Sequence, residues 1–112
     1  MARYLISFDD GAMTFPAAEL PAVAEASHQV VQEAKTAGVW VFGGGVASQR
    51  ASIVATDGTV TDGPYPETKA VIGGFSVVDV PSRAEALAWA GRIAAACRCA
   101  QEVREIMPDP SG

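Results

Sequence analysis

The chain has 112 residues, a net charge of −5, 49% hydrophobic residues and two cysteines. At roughly 100–200 residues per domain this is one domain, residues 1–112, too short for a nucleotide-binding unit plus a separate substrate domain. Eight Lys+Arg against thirteen Asp+Glu argue against nucleic-acid binding, which needs clustered positive charge, and the uncharged stretch from Thr36 to Gln49 falls short of the ~18 apolar residues of a membrane span.

The first element is a strand over Arg3-Tyr4-Leu5-Ile6-Ser7-Phe8, ended by the turn Asp9-Asp10-Gly11. Residues 12–19 are irregular. From about 20 to 37, Leu20, Val23, Ala24, Ser27, Val30, Val31 and Ala34 recur at three-four spacing. This predicts a helix with one apolar face, stopped by Gly38. Val39 to Phe42 is an apolar strand running into Gly43-Gly44-Gly45, where a glycine bulge or sharp bend is expected. Ser52–Thr56 and Thr59–Thr61 form a hairpin about Asp57-Gly58, with positive φ expected at both turn positions. After a loop from Asp62 to about Ala70, Val71–Val80 reads as a long central strand. Ser82 and Glu85 form a capping box for a second helix, whose stripe is Ala86, Leu87, Ala90, Ile93, Ala94 and Cys97. Gln101–Met107 is a final strand and 108–112 a tail.

This order predicts an α+β fold, the ferredoxin-like β-α-β-β-α-β arrangement with an inserted hairpin and an antiparallel sheet. Both helices would cover one sheet face. Val39–Phe42 and Phe75/Val77 are apolar on both alternations, so the other face would expose large side chains. A second copy packed sheet to sheet would bury them, and a homodimer is the expectation.

Chemistry has few candidates. His28 is the single histidine, so general-base and metal readings pass through it. It lies about 100° from the centre of the apolar stripe, either as a partly exposed helix residue or at the lip of a cleft. One His and the pair Cys97/Cys99 match no zinc spacing, so neither metal nor cofactor is expected. The same two cysteines make no disulfide framework and fit a reduced, cytoplasmic setting. Asp9 and Asp10 stand where a signal peptide would carry its apolar stretch. The triple glycine lacks the Lys-Ser/Thr of a phosphate loop and leads into an extended segment. The loop Asp62-Gly63-Pro64-Tyr65-Pro66-Glu67-Thr68-Lys69 gathers two carboxylates, a phenol and an ammonium on a stiff backbone. It is a place to build a site or a decorated surface turn. On the last strand Glu102 and Arg104 share a face, as an ion pair or with Arg104 anchoring an anionic substrate.

The block Asp62-Gly-Pro-Tyr65-Pro-Glu67-Thr-Lys69, with Ile72-Gly73-Gly74-Phe75, Ala86-Leu87-Ala88-Trp89-Ala90 and Glu102-Val103-Arg104, resembles the YCII-related family, and within it the DGPF branch, with Tyr65 in place of Phe. The resemblance implies a ferredoxin-like fold that pairs into a dimeric α+β barrel. In the wider family a histidine on the first helix pairs with an aspartate near that helix's end as a proposed catalytic dyad. His28 stands in the corresponding region, whereas Lys35, Thr36 and Ala37 occupy the positions before Gly38. Some members act on halogenated aromatic ring-cleavage intermediates, and others are linked with extracytoplasmic-function sigma factors.

Two functions follow as expectations. One is a cofactor-independent acid–base enzyme of lyase or isomerase type on a small acidic or phenolic substrate. His28 and Asp62 would be catalytic, with Tyr65, Lys69 and Arg104 binding substrate. The other is a non-catalytic ligand-binding or accessory dimer. A common pocket for His28 and Asp62 discriminates between them.

Overall fold

A computed structural model describes residues 1–47, 51–62 and 72–109. Four strands form one antiparallel sheet: β1 (Ala2–Asp9), β2 (Trp40–Gly45), β5 (Ile72–Val80) and β6 (Glu102–Glu105), in the order β2-β5-β1-β6. Helices α1 (Leu20–Thr36) and α2 (Arg83–Cys97) follow β1 and β5. This mixed α+β arrangement, with two helices and an antiparallel sheet, is compatible with a ferredoxin-like fold. The hairpin β3 (Ser52–Val54) and β4 (Val60–Asp62) is a separate two-stranded sheet that packs against no other described element. The radius of gyration is 15.8 Å, against about 13 Å for a compact domain of this length, as a two-layer slab with a projecting hairpin requires.

Even-numbered positions of β1 and β5 face the helices. Tyr4, Ile6, Val78 and Val80 pack with Ala86, Ala90 and Ile93 of α2 into the buried core. The alanines of α2 let the helix backbone lie close to the sheet, which is why a stripe of modest side chains closes this half completely. Ser82 caps α2, its Oγ accepting from the Glu85 amide at 3.2 Å. At the other end Arg98 adopts a left-handed conformation with φ 58°.

The opposite face holds Leu5, Ser7, Phe75 and Val77, with Phe42 opposite Val77 across the β2–β5 pairing. The Phe42 and Phe75 rings meet at 5.7 Å and 54°. Phe42 is 61% exposed, and no described element packs over this face. Arg104 and Glu102 border it from β6, opposite Leu5 and Ser7.

Two local expectations are corrected. The glycine run is not where β2 bends: Gly43, Gly44 and Gly45 pair with Ser76, Phe75 and Gly74, and the register shift falls upstream between Trp40 and Phe42. In the hairpin only Gly58 has positive φ, at 89°. The Gly58 amide donates to the Ala55 carbonyl, the Ala55 amide to the Thr59 carbonyl, and the Asp57 carboxylate accepts from the Thr59 amide at 2.9 Å. That is a longer loop with a left-handed glycine rather than a two-residue turn.

Candidate functional site

Of the residues singled out by sequence, the three that are described, His28, Asp62 and Arg104, lie on elements that do not touch one another. His28 is exposed on α1. Asp62 ends β4, also exposed, and accepts a hydrogen bond from Ser52 Oγ at 2.5 Å, which ties it into its own hairpin. Because the hairpin does not touch α1, these two groups share no site within the chain. Arg104 is exposed on β6 and donates to Glu102 Oε2 at 2.5 Å, so its charge is already matched. Tyr65 and Lys69 lie outside the described residues. Among the described residues no group of three His, Cys, Asp or Glu is placed to hold a metal, and no helix is long and apolar enough to cross a membrane.

The geometry instead opens a cavity of about 520 Å³ beneath α1. Of the seven stripe positions read from the sequence, only Val23 and Ala34 are buried. Leu20, Ala24, Ser27, Val30 and Val31 line the cavity together with Val23. The stripe is therefore a wall rather than sealed core, and Leu20 stays 55% exposed. At the far side, Ile93, Ala96 and Cys97 of α2 close it, with Ser27 Oγ and Cys97 Sγ 3.4 Å apart across the two helices.

The floor is aromatic, and glycines make it so. A Cβ at Gly43 would stand 2.8 Å from Trp40 Cη2 and 2.7 Å from the Phe75 carbonyl oxygen. A Cβ at Gly74 would stand 2.7 Å from Phe8 Cζ. Only hydrogen at these two positions lets the Trp40 indole and the Phe8 ring lie over the sheet, and both rings line the cavity. A floor of flat rings in place of upright side chains leaves the space above it open.

Charge in this lining is sparse. Lys35, in the last turn of α1, is its one charged residue among the described residues; Ser27, Ser76, Cys97 and Gln101 add weaker polar groups. Arg3, Arg98 and Arg104 are each within 4.0 Å of a carboxylate, of Asp79, Glu19 and Glu102 respectively, and Arg92 pairs with Glu33 while lying over the Trp89 ring. Lys35 has no such partner among the described residues. Sequence reasoning missed Lys35 and Trp40. The available signal was a lysine one turn beyond Val31 and two beyond Ser27 on the same row, and a tryptophan followed closely by three glycines.

Two perturbed groups lie outside this lining. Burial, then the charge of Glu105 and a 3.4 Å hydrogen bond to it, holds the Tyr4 phenol above its ordinary range. Burial, and next the neighbouring Cys97, pushes the Cys99 thiol up, against a smaller opposing effect of Gln101. A raised thiol is a poor nucleophile.

The fold and site together are those of an α+β domain with an apolar cavity under its first helix. The YCII-related domain matches residues 3–109, nearly the whole chain, and the protein belongs to that family. No curated protein matches it.

Proposed function

We propose that the protein is a ligand-binding member of the YCII-related family, of the DGPF branch, that works as a homodimer in a reduced cytoplasmic setting. The observation that carries the ligand-binding reading is the cavity: five stripe positions of α1 that a plain structural helix would bury face open space above an aromatic floor. Its volume falls within the roughly 300–1,000 Å³ of small-molecule sites. The acid–base alternative needs His28 and Asp62 in one pocket, and both are exposed, on two elements that do not touch. The Asp62-Gly63-Pro64-Tyr65 block supports the branch, and the two free cysteines suit a reducing compartment.

Dimerisation rests on the apolar face of Leu5, Phe42, Phe75 and Val77. Sheet-to-sheet packing of two copies would bury it and complete an α+β barrel. Size-exclusion chromatography with light scattering should give twice the protomer mass at micromolar concentration, and Phe42→Asp should give the protomer. A monomeric parent would remove the dimer from this account.

Ligand binding is tested by a thermal-shift screen of small aromatic acids and phenols on the parent, His28→Ala and Ala24→Phe. Stabilisation retained in His28→Ala and lost in Ala24→Phe, which fills the cavity from α1, is the expected result. The reverse pattern would restore the acid–base reading.

A further inference from the structure

We infer that the cavity beneath α1 selects a monocarboxylate with an uncharged, apolar aryl or alkyl body, the carboxylate held by Lys35 and the body laid on Trp40 and Phe8. This rests on the ligand-binding reading above and adds the ligand's chemistry to it. Three observations point the same way. The lining is apolar apart from Ser27, Ser76, Cys97, Gln101 and Lys35, so a ligand carrying several charges or many hydroxyls would lose hydration that nothing there replaces. Among the described residues the single charge in the lining is positive and lacks the carboxylate partner that Arg3, Arg92, Arg98 and Arg104 each have, in a chain with acid to spare. Among the described residues no carboxylate lines the cavity, so no side chain of the described lining repels a ligand anion.

Geometry sets the orientation. Leu20 and Lys35 are the first and last cavity residues of α1, fifteen positions apart along the helix. The cavity therefore runs along α1 from an apolar end at Leu20 to a cationic end at Lys35. The Lys35 stem can lie along the wall with its ammonium toward water. A carboxylate there remains partly solvated and meets the negative end of the α1 dipole. Its gain therefore falls between that of an exposed ion pair and that of a charge-assisted hydrogen bond, about five- to tenfold in affinity.

The experiment compares 4-phenylbutyrate with 4-phenylbutyramide, which keeps the body and removes the charge. Binding is read by calorimetry and by Trp40 fluorescence in a Trp89→Phe background, where Trp40 is the remaining tryptophan. The acid should bind about five- to tenfold more tightly than the amide. Lys35→Met should erase that difference, chiefly by weakening the acid, and Ala24→Phe should abolish binding of both. Circular dichroism verifies that each variant is folded. Equal binding of acid and amide to the parent overturns the charge assignment and leaves the ligand-binding reading intact. An acid preference that survives Lys35→Met places the anion site elsewhere and also overturns the inference. Binding of neither probe, as when the chain itself fills the cavity, overturns both.

Discussion

Two glycines on the same strand and the same face should respond to alanine in opposite directions. At Gly43 the new methyl would sit 2.7 Å from the Phe75 carbonyl oxygen, 2.8 Å from Trp40 Cη2 and 3.0 Å from Ser76 Cα. Two of these three neighbours are backbone of β5, so the strain cannot be relieved by turning a side chain, and the indole must lift from its seat. Overpacking of this kind costs about 1–3 kcal/mol, offset by about 0.5–1 kcal/mol for replacing a strand glycine. The net is a loss of about 1–2 kcal/mol. With an unfolding entropy of about 2.1 cal/mol/K per residue, the midpoint falls by about 4–9 °C. At Gly45 the nearest atom to an added methyl is the Gly73 carbonyl oxygen at 4.0 Å, so Gly45→Ala should be neutral or gain about 0.5 kcal/mol. Thermal unfolding followed by circular dichroism measures both, and the emission of Trp40 in the Trp89→Phe background reports whether the indole has moved. If Gly43→Ala is as stable as Gly45→Ala with unchanged emission, the aromatic floor is not set by these glycines.

Two further outcomes test the elements that frame the site. Ser82→Ala removes the hydroxyl that accepts from the Glu85 amide and should lower stability by about 1 kcal/mol in a denaturant titration. Asp57 is held below the ordinary aspartate value by its hydrogen bonds with Thr59. A depressed carboxylate stabilises its turn above the unfolded value and loses that contribution as pH falls through the folded one. The Thr59 amide resonance should therefore shift with a midpoint below about pH 4, whereas a midpoint at or above the free-aspartate value would contradict the turn geometry.

Much of the fold was legible because its determinants are local. The strand over residues 3–8, the helix from Leu20 to Gly38 and the Ser82 cap each depend on neighbours in sequence, and each forms within a residue or two of its expected bounds. The unpartnered sheet face was legible too, since alternation in Phe75 and Val77 leaves no second layer to receive them. The site was not. An apolar stripe with three-four spacing has the same pattern whether it meets a sheet or a space. What decides between them is how far the rings of Trp40 and Phe8 rise from the sheet, and that depends on Gly43 and Gly74 pairing across strands distant in sequence. The triple glycine drew attention as a bend for the same reason, because its partners on β5 are some thirty residues away. His28 attracted weight as the lone histidine, although its place at the margin of the stripe already allowed the exposed position it has.

The central claim is that ligand enters beneath α1. The most direct measurement is a heteronuclear NMR titration of the labelled chain with 4-phenylbutyrate. Shifts concentrated at Ser27, Val31 and Lys35 and at the Trp40 indole N–H, with Asp62 and Arg104 still, are the predicted result. Shifts gathered around Asp62 or Arg104, with α1 and Trp40 unmoved, would contradict it.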